Sequence, residues 1–144
     1  MFNTDQHNSP NNFMLDIEAL GNTPNGVITS IGIVQFIPTT GECLDEFKIN
    51  IKVQSSLKAG MVIDASNLEW LLNQSKACQN AMFEQAIDIS DAISEFRSWV
   101  YKIDTKRNFY WYANGVNFDF GLLRDCFCIV DKKRNPYIPW KPGN

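Results

Sequence analysis

Apolar and polar residues follow a period of two in the first third of the chain and a period near 3.6 after it. Phe13–Glu18 reads as a short buried strand. Val27–Phe36 is β-branched and nearly continuous, the pattern of a central strand covered on both faces. Leu44–Val53 sets Phe47, Ile49, Ile51 and Val53 against Lys48, Asn50 and Lys52, which predicts an antiparallel strand with one wetter face. Between these runs stand two clusters of turn residues, Gly21-Asn22-Thr23-Pro24-Asn25-Gly26 and Pro38-Thr39-Thr40-Gly41.

Then the period changes. Ser66 is placed to cap a helix containing Leu68, Leu71 and Leu72, with Glu69 at the third helical position as in a capping box. Ser75 opens a second short helix through Phe83. Asp88–Tyr101 repeats Ile89, Ala92, Ile93, Phe96 and Val100 at spacings of three and four, an amphipathic helix. Phe109–Ala113 is an aromatic strand, Asn114-Gly115 a turn, and Phe118–Val130 a helix. Three strands, helices, a further strand and a helix predict an α/β fold, a mixed sheet with helical cover. Residues 1–12 are polar and rich in Asn, and read as a loose N-terminal tail before a single domain over 13–144.

Composition narrows the options. The chain has 144 residues, 44% of them hydrophobic and 20% charged, as in ordinary globular domains. No apolar run approaches the ~20 residues of a membrane helix, and no signal-peptide pattern opens the chain, so no membrane partner and a cytoplasmic location are expected. Cys43, Cys78, Cys126 and Cys128 include no C-x-x-C pair and the only histidine is His7, which argues against zinc and for reduced thiols.

Two carboxylates change the picture. Asp16 and Glu18 lie two apart in the first strand and so share one face of it. The first Lys or Arg in the chain is Lys48, leaving these acids without a local cation. Like charges side by side repel and resist desolvation, and a divalent metal is the economical compensator. Asp119, just past the aromatic strand, falls in the first turn of the next helix, where the helix dipole favours its charge. Alone it reads as a cap or a surface charge. With Asp16 and Glu18 it completes three acids from two strand ends, enough to hold two metals about 3.5–4 Å apart. Residues 1–104 carry 6 basic and 13 acidic residues, and residues 105–144 carry 7 and 3. An acidic part for metal and a basic end for phosphate would suit a nucleic-acid enzyme, although charge runs are commonly just solvated surface.

At this point the chain resembles a family. Met14-Leu15-Asp16-Ile17-Glu18-Ala19-Leu20-Gly21 with Ile28-Thr29-Ser30-Ile31-Gly32-Ile33-Val34-Gln35-Phe36 is similar to the first motif of the DnaQ-like, or DEDD, 3′–5′ exonucleases. Leu68-Glu69-Trp70-Leu71-Leu72-Asn73-Gln74-Ser75 resembles the W-W-x-x-Q-S stretch of the RNase AS and phage DexA group. Trp111-Tyr112-Ala113-Asn114-Gly115-Val116-Asn117-Phe118-Asp119 resembles that group's second motif, and Pro139-Trp140-Lys141 the P-W-K before its third.

The resemblance implies an RNase H-like fold and removal of nucleotides from the 3′ end of single-stranded DNA or RNA. It makes Asp16, Glu18 and Asp119 catalytic residues and ligands of Mg²⁺ or Mn²⁺. Ala19, Leu20, Gly21, Trp70, Asn117 and Phe118 become substrate contacts, with Leu20 against the terminal base. Ala19 replaces the family's usual Thr, a departure expected to loosen the grip on the terminal nucleotide. A phage-like origin would place the protein in a host cytoplasm.

The family's third motif brings a His and a fourth acid on a further helix. Asp125 and Asp131 lie too near the second motif to serve, and His7 is at the other end of the chain. The sequence therefore reads as a C-terminally truncated exonuclease domain, incomplete or weakly active, with self-association or a second polypeptide covering the place of that helix. The alternative is a non-catalytic remnant that binds nucleic acid or protein. Trp70 and Trp111 read as core residues or as base-stacking platforms, Trp99 as packing, and Lys132-Lys133-Arg134 as a solvated turn or a phosphate contact.

Overall fold

The computed structural model describes residues 4–103 and 108–134, together with Pro136 and Ile138. Four strands form one sheet: β1 (Asn12–Ala19), β2 (Ile28–Ile37), β3 (Glu42–Asn50) and β4 (Tyr110–Ala113). Their order is β3-β2-β1-β4, with β4 parallel to β1 and the other pairings antiparallel. The helices are α1 (Thr4–Asn8), α2 (Val53–Lys58), α3 (Ala65–Leu72), α4 (Lys76–Phe83), α5 (Ile89–Tyr101) and α6 (Val116–Asp131). The expected mixed sheet with flanking helices is the one observed. No described helix is long and apolar enough to cross a membrane.

The alternation in β1 decides which face is core. Phe13, Leu15 and Ile17 are buried, whereas Met14, Asp16 and Glu18 are exposed on the other face. Phe13 stacks on Trp111 with ring centroids 4.7 Å apart and meets Trp99 edge-on at 6.0 Å. Both tryptophans thus belong to the core. Ile89, Ala92, Ile93, Phe96 and Val100 of α5 and Leu122, Leu123, Cys126 and Phe127 of α6 complete it. Arg97 clamps the two helices through a bidentate bond to Asp131, at 2.9 and 2.6 Å, with its guanidinium 4.5 Å over the Phe127 ring. The four cysteines are free thiols, and burial pushes that of Cys126 up to about 12.

Four expectations are corrected. The third strand stops at Asn50, and Val53, assigned to it by alternation, begins α2. Ile87 takes over the pairing there: its N–H donates to Asn50 O at 3.0 Å and its carbonyl accepts from Lys52 N at 2.8 Å. The cap of α3 is Asp64 rather than Ser66, its carboxylate accepting from Ser66 N and Asn67 N at 3.1 and 3.4 Å. A charged acceptor satisfies the helix's orphan donors better than a hydroxyl. The second strand is interior yet covered only along its first half. Finally, the polar start is not loose from residue 4 onward. It forms α1, and Asn12, fully buried, donates to Gln6 O at 2.9 Å and Ser9 O at 2.7 Å. Its side-chain oxygen accepts from Tyr112 Oη at 3.0 Å, so a residue that reads as loop is buried with its amide satisfied. The Pro139-Trp140-Lys141 stretch lies outside the described residues.

Candidate active site

The open face of the sheet forms the floor of a cleft of about 500 Å³ that takes in Met14, Asp16 and Glu18 of β1. Its other wall is the α3–α4 hairpin, which contributes Trp70, Cys78, Ala81 and Met82. Directly paired residues point to the same side of a sheet, so the register fixes the rows of this floor. Glu18 sits beside Ser30 and then Asn50; Asp16 sits beside Gly32 and then Lys48.

Asp119 arrives from the neighbouring strand. Leu15 pairs with Ala113, the last residue of β4, and the chain then turns at Asn114-Gly115 into α6. The acid is therefore delivered just beyond the carboxyl end of β4, beside the half of β1 that carries Asp16 and Glu18. In open α/β sheets this end of the strands is where ligands gather. Asp119 is 5% exposed, and its Oδ2 accepts from Gly115 N at 3.2 Å.

The electrostatics tie the three acids together. Burial raises the pKa of Glu18, and the carboxylates of Asp16 and Asp119 push it further up. Burial likewise raises Asp119, against the Gly115 N–H, with Asp16 adding to the rise. None of the three forms an ion pair among the described residues. As a donor set they fit a hard divalent cation, being carboxylate oxygens with no thiol or imidazole among them. They are not, however, gathered: among the described residues no three His, Cys, Asp or Glu side chains stand close enough to hold a metal ion.

The remaining residues singled out by sequence divide into two groups. Trp70, 48% exposed, lines the same cleft as Asp16 and Glu18. Asn117 and Phe118 are exposed on the first turn of α6, and Ala19 is half-buried. Leu20 and Gly21, by contrast, are spent on packing. Leu20 is 2% exposed in the core. A Cβ on Gly21 would lie 2.5 Å from Gly26 Cα and 2.6 Å from Val62 O, so close backbone approach explains this glycine. Sequence reasoning passed over Lys48 and Gly32 as members of the floor; only the strand register reveals them. Asp131, considered as a fourth acid, is engaged by Arg97, which holds its carboxyl below the usual range.

A stability measurement checks the coupling. Glu18 and Asp119 keep their protons to higher pH in the folded chain than in the unfolded one, so the folded state binds more protons above their ordinary values. Stability then falls as pH rises through that window and levels once both acids are ionised. Asp119→Asn is expected to raise the metal-free melting temperature at pH 7, with the gain shrinking as pH is lowered towards 4. A gain equal at both pH values, or a loss at pH 7, would contradict the shared field.

The fold is that of the RNase H-like exonucleases. Similar solved structures include the nuclease domain of 3′hExo, a DEDDh family member, bound to rAMP, at TM-score 0.58 and 14% identity over 89% of this chain and 62% of that one. Cell-death related nuclease 4 (CRN-4) aligns at TM-score 0.55 and 10% identity, covering 81% of this chain and 38% of that one. A 3′-exonuclease in a structure of 3′-end specific recognition of histone mRNA stem-loop aligns at TM-score 0.55 and 14% identity, covering 83% and 52%. The chain thus spans between 38% and 62% of the length of these structures. No curated protein sequence matches it. The model of the Rv2179c-like 3′–5′ exoribonuclease domain matches residues 11–144, and the chain belongs to that family.

Proposed function

We propose that this protein removes nucleotides from the 3′ end of single-stranded RNA, with Asp16, Glu18 and Asp119 holding Mg²⁺ or Mn²⁺. The observation that carries the reading is the convergence of these three acids at the carboxyl ends of β1 and β4, with no ion pair to any of them among the described residues. The family's description as exoribonuclease favours RNA over DNA. Within the superfamily, the Trp70–Ser75 and Trp111–Asp119 stretches favour the RNase AS and DexA group.

When bound, paired divalent cations supply an activated water and stabilise the leaving oxygen. The chain's own residues do the rest. Asp119 comes from the first turn of α6, where its Oδ2 accepts from Gly115 N–H, while Asp16 and Glu18 come from one face of β1, so the acids reach the site from two separate elements. Trp70 offers a half-exposed ring across the cleft for a base to stack on, and Phe118 a second on the Asp119 turn. Water adds to phosphorus and the P–O3′ bond breaks. The shortened strand keeps the oxygen as a 3′-hydroxyl and the released nucleotide carries a 5′-phosphate.

Turnover by these residues alone is proposed to be slow. The single imidazole, His7, sits on α1 at the start of β1, and Glu18 lies about 20 Å further along at ~3.3 Å per residue. A general base is worth roughly 10²–10⁴-fold. The test is a 5′-labelled single-stranded RNA incubated with Mn²⁺. Shortening by single nucleotides, blocked by a modified 3′ end, is the expected result; internal cleavage, or insensitivity to the 3′ block, would sink the reading. Binding without any cleavage would favour the non-catalytic alternative.

A further inference from the structure

Among the described residues the floor of the cleft holds one cation, Lys48, and its placement is informative. Lys48 on β3 pairs with Gly32 on β2, which pairs with Asp16 on β1. All three line the cleft, so the ammonium and the acid stand on one face with a residue lacking a side chain between them. With strands about 4.8 Å apart, the Asp16 and Lys48 backbones are separated by roughly 10 Å. Lys48 is exposed and forms no ion pair among the described residues. Its neighbour on the same face, Glu46, instead accepts from the Cys43 thiol at 3.6 Å. A lysine within an acidic cleft would ordinarily neutralise an acid; this one is left available.

Gly32 supplies an independent observation. A Cβ there would meet only Asp16 O, at 3.8 Å, an ordinary contact. Its backbone is not among the left-handed conformations that call for glycine. Neither packing nor backbone geometry requires a glycine at the centre of this strand, where it costs conformational entropy and packs nothing. The bare position leaves a trough running from Asp16 to Lys48.

We propose that Lys48 is a substrate-positioning residue that takes a backbone phosphate of the RNA strand, laid across the Gly32 trough from the scissile phosphate at Asp16. The assignment rests on the nuclease reading above and adds to it the path of the strand: across β2 towards β3 rather than along β1. An ammonium suits this task as a point charge needing no fixed geometry.

Binding of a single-stranded oligoribonucleotide with a free 3′ end, measured against salt with Ca²⁺ in place of Mg²⁺, tests it. Each phosphate neutralised contributes about 0.7 to the slope of log affinity against log salt for single strands. Lys48→Gln is expected to lower the slope by about 0.7, so that the parent loses roughly 2.5-fold more affinity than the variant between 50 and 200 mM salt. Lys48→Arg should keep the parent slope. Lys58→Gln, an equal loss of charge at an exposed position on α2, should leave it unchanged. Gly32→Val should weaken binding at every salt concentration while the melting temperature holds. A parent slope in Lys48→Gln, or equal effects of Lys48→Gln and Lys58→Gln, would overturn the assignment with the nuclease reading intact. A parent that neither binds nor digests RNA would overturn both.

Discussion

Asp119→Ala is expected to reduce Mn²⁺-dependent digestion of a single-stranded RNA by at least about 100-fold, since loss of a mere hydrogen-bonded neighbour of a metal ligand costs 10–100-fold. The expectation follows from where the acid stands. It is buried at the first turn of α6, braced by Gly115, and in the field of Asp16. Asp131, on the same helix, is held by Arg97 at its far end. The substitution deletes a buried charge and opens no large cavity, so the fold should persist and metal-free stability should rise. Activity within a few-fold of the parent would remove Asp119 from the mechanism. Loss of activity together with loss of folding would be settled by Asp119→Asn, which keeps an acceptor for the Gly115 N–H.

The second large effect is on stability. Gly21→Ala is expected to destabilise the protein by about 3 kcal/mol or more, at or beyond the upper end for overpacked cores. The clash is with backbone, Gly26 Cα and Val62 O, which no rotamer change relieves. It also strikes the knot behind the site. Leu20 N donates to Val27 O at 2.8 Å, Val27 N to Val62 O at 2.9 Å and Asp64 N to Leu20 O at 2.7 Å, so one methyl group disturbs the end of β1, the start of β2 and the cap of α3 together. Urea unfolding of the variant measures it. A change below about 1 kcal/mol would mean that the strand ends can separate freely, and would restore a substrate role as the reason for this glycine.

Both cases show what the sequence could carry. The two-residue spacing of Asp16 and Glu18 gave their shared face, whereas the strand, read as buried, has Met14, Asp16 and Glu18 on an exposed face. The three-and-four spacing of α5 was equally readable. Leu20 was not, because a register shift between Glu18 and Ala19 ends the alternation and turns the next side chain into the core. α1 and α2, at 5 and 6 residues, are too short to display a helical period. The row Asp16–Gly32–Lys48 depends on pairing between strands far apart in sequence, which a single chain does not spell out. How the three acids stand to one another was likewise beyond a motif, which names ligands without placing them.

The claim that Asp16, Glu18 and Asp119 form one metal site is tested most directly by titrating Mn²⁺ into the protein and into Asp16→Asn, Glu18→Gln and Asp119→Asn, with bound metal counted by electron paramagnetic resonance. The parent should bind Mn²⁺, and each substitution should weaken that binding by at least about tenfold, the effect of losing even an outer partner of a ligand. Asp119→Asn matters most, since this residue comes from a different strand end. Binding by Asp119→Asn indistinguishable from the parent would show that the strand acids hold metal without it, and would contradict the site described.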